Sequence, residues 1–253
     1  MKPLRTASCF LIAISLLLFV LVRQSSISLP ASIKHRTIAV DGIERSYRIV
    51  IPDKKTTGTR RPLLVALHGA LDTTDEMAAY TQLDRLAVEK NFLLVYPQGK
   101  NLNWHPLIPH DNPDVAAADI LFIDRLCDDL TETLEADPKR IYVAGVSMGG
   151  AMCTLLLVRR SERFAGAVCN CGWLPDPLGK EPFNTKNKCP ILFYSGTEDR
   201  QVSSQQVQDA REAFEKAGHP TQLRTIQGFG HGWAVKHGIN EEIWTFLSPC
   251  HLP

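Results

Sequence analysis

The sequence predicts an α/β domain: a mostly parallel sheet of about eight strands with helices on both faces. Three observations predict it. Short β-branched apolar runs alternate with helix-length segments over most of the chain. The alternation opens on a hairpin, where Thr37 to Val40 and Ile43 to Ile51 flank the turn dipeptide Asp41-Gly42. Later, the apolar run Ile141 to Ala144 passes through Gly145-Val146-Ser147-Met148-Gly149 into a helix-like segment, Ala151 to Arg160. At 253 residues, 44% hydrophobic and 22% charged, the chain suits one large domain with a sizeable core. A formal net charge of +1 and the lack of a basic stripe argue against a nucleic-acid partner.

Residues 1–28 read as a separate unit from the domain expected over 29–253. Lys2 and Arg5 precede a charge-free apolar run from Ala7 to Val22, closed by Arg23, and Ser26-Ile27-Ser28 supplies a small-x-small cleavage pattern. That order is a secretory signal's, and the run is shorter than the roughly 20 residues of a usual spanning helix. Export is the expectation, with an uncleaved N-terminal membrane anchor as the alternative. An oxidising compartment permits disulfides. Cys127 and Cys153 sit on expected core faces, whereas Cys171, Cys189 and Cys250 lie near loops and are the better bridge candidates. No C-x-x-C pair or His/Cys cluster points to a metal site.

In order, Ile43, Tyr47, Ile49 and Ile51 share one face of the second strand, with Glu44, Ser46 and Arg48 on the other. Asp53 to Arg61 reads as a loop, Pro62 to Leu67 as a strand, Thr73 to Lys90 as one helix and Phe92 to Tyr96 as a strand. Asn101 to Asp114 reads as a loop. A helix is expected from Ala116 to Ala136, ended by Asp137-Pro138. Beyond the Ser147 segment come a strand at Phe164 to Val168, an excursion from Trp173 to Lys188 and a strand at Ile191 to Ser195. A helix at Ser204 to Ala217, a strand at Gln222 to Ile226 and a helix at Asn240 to Leu247 complete the chain.

Strand, sharp turn and helix around G-x-S-x-G place a serine hydroxyl clear of the sheet, so Ser147 is the candidate nucleophile. A serine needs a base, and on this motif the acid and the histidine follow it in that order. Glu198 and Asp199 stand just beyond the Ile191 to Ser195 strand. Asp199 is the choice and Glu198 the alternative. His231, glycine-flanked and just after the last strand, is the candidate base ahead of His219, His237 and His251. A developing oxyanion would take the backbone N–H of Met148 and a second donor from Gly69-Ala70, with His68 orienting that loop.

Val40-Asp41-Gly42, Arg45-Ser46-Tyr47, Leu67-His68-Gly69, Tyr96-Pro97-Gln98-Gly99, Asn103-Trp104 and Asp119 to Ile123 recur in a known order with the segment Val143 to Met152, Gly196-Thr197-Glu198-Asp199 and Gly230-His231-Gly232-Trp233. Together they resemble the polyhydroxybutyrate depolymerase and feruloyl esterase group of the α/β-hydrolase superfamily. The resemblance implies an α/β-hydrolase fold, a Ser147–Asp199–His231 triad and Trp104 and Trp233 near an acyl pocket. It also implies ester substrates, whether small, polysaccharide-linked or polyester, with no cofactor and no obligate protein partner. Phe229 and Ala234 depart from the group's usual glycine and proline, and the loop around Asn103-Trp104 is short, which bears on substrate choice. A peptidase of the same fold and a catalytically dead binding module remain the alternatives.

Overall fold

A computed structural model describes residues 29–54, 58–105, 113–176, 183 and 186–253. The leader, and half of the stretch expected as an excursion between Trp173 and Lys188, lie outside the described residues. Eight strands form one sheet: β1 (Ala31–Val40), β2 (Ile43–Pro52), β3 (Arg61–Leu67), β4 (Leu93–Pro97), β5 (Ala136–Val146), β6 (Gly166–Asn170), β7 (Ile191–Gly196) and β8 (Thr221–Ile226). Their spatial order is β1-β2-β4-β3-β5-β6-β7-β8. β1 and β2 form the expected antiparallel hairpin, β2 meets β4 antiparallel, and every pair from β4 to β8 is parallel.

Period-two burial on both faces explains the near-continuous apolar strands. In β3, Leu63, Val65 and Leu67 join one core with α3 (Pro113–Thr133), α4 (Met148–Arg160) and α5 (Ser204–Lys216). Leu64 and Ala66 point the other way, into a core shared with α1 (Thr74–Thr81), α2 (Leu83–Lys90) and α6 (Ile239–Leu247). Among the described residues no helix is long and apolar enough to cross a membrane.

Three expectations are corrected. The single helix from Thr73 to Lys90 is two, broken at Gln82, which adopts a left-handed φ of 55°. Thr73 caps α1 through a complete capping box with Glu76. At the break the Thr81 carbonyl accepts from Asn240 Nδ2 at 2.8 Å, and the Thr81 hydroxyl bonds back to Met77 O. Helix α3 ends at Thr133, not Ala136, because Glu135 turns left-handed (φ 55°) and Ala136 pairs with Arg61. Asp137-Pro138 therefore lies inside β5. On β2 the two faces divide as expected, with Tyr47 and Ile49 in one core and Arg48 on the other face, buried against Asp84, while Ile43 at the hairpin end is exposed. Finally, the cysteines Cys127, Cys153, Cys169, Cys171, Cys189 and Cys250 are all unpaired, so the expected bridge candidates form no bridge. Cys171 and Cys189 are buried instead, where they pack as small apolar side chains.

Candidate active site

The parallel strands deliver their carboxyl ends to one edge of the sheet, where open α/β sheets hold their sites. β5 ends in Val146, and Ser147 takes φ 56° and ψ −120° before α4 begins at Met148. That left-handed φ is costly for a residue with a Cβ and holds the side chain at the tip of the turn. Glycines make the turn possible by contact rather than by flexibility. A Cβ on Gly145 would stand 2.2 Å from Gly149 O, and one on Gly149 would stand 2.1 Å from Leu67 O. The turn is thus packed directly onto the end of β3.

β7 ends at Gly196, where a Cβ would meet Phe229 O at 2.2 Å, so the loops after β7 and β8 touch there. Asp199 follows. Its Oδ1 accepts from the backbone N–H groups of Gln201 and Val202, both at 2.9 Å, and its Oδ2 accepts from His231 Nδ1 at 2.7 Å. The carboxylate is 1% exposed. Burial works to raise its pKa, but the Val202 N–H, the His231 ring and the Gln201 N–H outweigh burial and hold it below the ordinary carboxylate value. With Nδ1 donating, His231 keeps its Nε2 lone pair for a proton. Ser147 and His231 line one cavity of about 400 Å³ with Gly69, Ala70, Tyr80, Gln201, Phe229 and Trp233. A larger hollow of about 780 Å³ lies at the opposite ends of β7 and β8, around His219 and Thr221, away from Ser147, Asp199 and His231.

The loop after β3 is fixed by His68. Its Nδ1 donates to Gly69 O at 2.6 Å, while its Nε2 accepts from the Gly99 N–H at 2.9 Å. Burial depresses its pKa, so the ring is neutral, as a bonded acceptor nitrogen requires. Gly69 lies against the turn, its hypothetical Cβ 3.7 Å from Ser147 Cβ. Met148, the first residue of α4, packs at the margin of the core with its N–H among the helix's free donors.

The two tryptophans separate. Trp233 lines the cavity and donates Nε1 to Asn240 Oδ1 at 2.8 Å. Trp104 does not. It is 2% exposed, donates Nε1 to His68 O at 3.1 Å and stacks at a tilt on the His68 ring, 5.2 Å between centroids. Its place beside the acyl pocket is corrected to a support under the β3 loop. Glu198 is exposed, and its backbone N–H donates to Phe229 O of the histidine loop at 2.9 Å. The Cys171 Sγ, an Asp199 oxygen and a His231 nitrogen all lie within 4.8 Å of one another. That spacing alone would admit a metal ion. Burial pushes the Cys171 thiol up to about 12, so a neutral S–H lies beside Asp199 and His231.

The model of the family described as esterase PHB depolymerase matches residues 45–174, and that of the dienelactone hydrolase family matches 116–243. The chain belongs to the PHB-depolymerase esterase family. Its fold is that of the α/β-hydrolases. It is 32% identical over 121 residues to feruloyl esterase B of Neurospora crassa, covering 47% of this chain and 41% of that protein. To poly(3-hydroxyalkanoate) depolymerase C of Paucimonas lemoignei it is 34% identical over 116 residues, covering 42% and 27%. The chain thus matches less than half the length of each of these relatives. A solved ferulic acid esterase superposes with a TM-score of 0.68 at 19% identity, covering 88% of this chain and 99% of the other.

Proposed function

We propose that the protein is an exported serine carboxylic-ester hydrolase working through Ser147, His231 and Asp199. The observation that carries the reading is the 2.7 Å hydrogen bond from His231 Nδ1 to the buried Asp199 carboxylate, on a ring that shares a cavity with Ser147. In this mechanism His231 Nε2 takes the hydroxyl proton as Ser147 Oγ attacks the ester carbonyl. The tetrahedral oxyanion is met by the backbone N–H of Met148 and one from Gly69-Ala70. Collapse expels the alcohol, protonated by the imidazolium, and leaves an acyl-enzyme. Water, deprotonated by His231, then releases the acid. Asp199 stays ionised throughout, orienting the ring and stabilising its cationic form. No step uses a metal or organic cofactor.

The feruloyl esterase and polyhydroxyalkanoate depolymerase relatives support an ester of a phenolic acid or a hydroxyalkanoate as substrate. Trp233 offers the cavity an aromatic face for the former. Export follows from the leader pattern of residues 1–28. The test is hydrolysis of short p-nitrophenyl esters together with labelling by a fluorophosphonate probe. Turnover and labelling are expected, both abolished in Ser147→Ala with the fold intact. Failure to label points to a binding module, and cleavage of peptides in preference to esters points to a peptidase. A panel of methyl ferulate, acetylated xylan and hydroxybutyrate oligomers ranks the substrates.

A further inference from the structure

We propose that Asn170 and Cys171, the dipeptide where β6 ends, are positioning residues that tie all three triad groups to one strand end. The inference rests on the triad reading above. Asn170 O accepts from the N–H of Ser147 at 2.9 Å, fixing the backbone of the strained turn. Asn170 Nδ2 donates to Gly232 O at 2.8 Å, holding the peptide next to His231. Cys171 Sγ lies within 4.8 Å of both the Asp199 carboxylate and the His231 ring, 3.7 Å from Gly232 O and 3.5 Å from Asn170 Oδ1.

The dipeptide is itself anchored. Cys171 N–H donates to Tyr194 O on β7 at 2.9 Å, and Gly172 presses on Gly150 of α4, where a Cβ would stand 2.6 Å from the backbone. Cys171 holds a left-handed φ of 48°, a conformation that disfavours any residue with a Cβ and marks a constrained position. It is 1% exposed. Among the acceptors near the thiol, the Asp199 carboxylate alone is charged and has the most to gain from a nearby donor dipole. The thiol hydrogen-bonds to Gly232 O and Asn170 Oδ1, and close beside the Asp199 carboxylate its S–H dipole supplements the donors Gln201, Val202 and His231.

A donor dipole beside Asp199 offsets part of its negative charge and restricts its rotation, so its loss has two consequences. The carboxylate wanders, lowering kcat, and it stabilises the imidazolium more strongly, moving the acid limb of kcat/KM to higher pH. Among the described residues, Asp199, His231 and Cys171 itself are the carboxylate, imidazole and thiol that meet at this junction, and the Tyr80 phenol lines the same cavity.

The experiment is steady-state hydrolysis of p-nitrophenyl acetate from acid to alkaline pH by wild type, Cys171→Ala, Cys171→Ser, Asn170→Ala and Ser147→Ala, with thermal melts of each. Cys171→Ala is expected to lose about tenfold in kcat, with KM nearly unchanged and the acid limb displaced upward. Cys171→Ser restores a donor and is expected within about threefold of wild type. Asn170→Ala, which frees the Gly232 peptide, is expected to lose about tenfold in kcat at nearly unchanged KM, and it serves if Cys171→Ala does not fold. Wild-type kcat in both Cys171→Ala and Asn170→Ala overturns the inference, as does an unmoved pH profile with Cys171→Ser no better than Cys171→Ala. Turnover persisting in Ser147→Ala would show that the triad reading itself had failed.

Discussion

Glu198 and Asp199 are neighbours of like charge whose surroundings divide their roles. Glu198 is exposed, whereas Asp199 accepts two backbone N–H groups and the His231 ring. Exchanging Asp199 for asparagine removes the charge that favours the imidazolium and admits the wrong ring tautomer. Asp199→Asn is therefore expected to lower kcat by ~10⁴-fold, as for a serine-protease triad acid, while Glu198→Gln leaves it nearly unchanged. Equal losses in steady-state assays would reassign the acid. Sequence order nominates Ser147 and His231 and narrows the candidate acid to two, because strand, turn and glycine spacing are local signals. It could not tell a cavity tryptophan from a buried one. Trp104 and Trp233 carry the same ring, and only the packing of Trp104 under His68 separates them. Asn170 and Cys171 carried no motif. The positioning role proposed for them depends on β6 lying between β5 and β7, a relation set by sheet order rather than by neighbours in the chain.

The elements around the site are held by buried polar ties that alternation cannot express. Arg48 of β2 donates Nη1 and Nη2 to the two Asp84 oxygens of α2 at 3.0 and 2.6 Å, and the Tyr96 hydroxyl donates to Oδ1 at 2.8 Å. Period-two reading put Arg48 opposite the apolar face, and that holds. The opposite face is not solvent but is covered by α1 and α2. The same cover explains the break at Gln82, where no glycine or proline announces a stop. Asn240 of α6 accepts from Trp233 Nε1 and donates to the Thr81 carbonyl, so the break is bridged to a cavity wall from far along the chain. Removing one partner of a buried ion pair strands the other's charge. Asp84→Ala is expected to cost about 3–5 kcal/mol of unfolding free energy, read from denaturant melts. A loss below about 1 kcal/mol would mean that Arg48 finds water or another carboxylate. Asp75, 3.0 Å from Arg48 Nε and largely exposed, is the candidate for that rescue.

Across the whole molecule, two buried histidines near opposite ends of the strands make stability depend on mild acid. His68 stands beyond the end of β3, fully buried, and His219 stands before β8 with Nδ1 on Cys189 O at 3.1 Å. Burial depresses both pKa values below the ordinary histidine value. The unfolded chain therefore takes up protons as pH falls through about 6.5, while the folded protein does not. Stability is full above that value, declines as pH falls below it, and levels off only beneath the depressed folded values. The carboxylates add a second, lower stage. Asp199 and Asp137, both held below the usual carboxylate value despite burial, favour the fold above the unfolded carboxylate pKa, and that contribution is lost as pH falls through their folded values. Melting temperature should thus fall between pH 7 and pH 5, above the range in which Asp199 and Asp137 act. Replacing both rings, in His68→Gln with His219→Gln, should flatten that first stage and leave the lower one in place. A wild-type melting temperature constant over pH 5–7, or the same slope in the double variant, would show that these rings do not control acid stability.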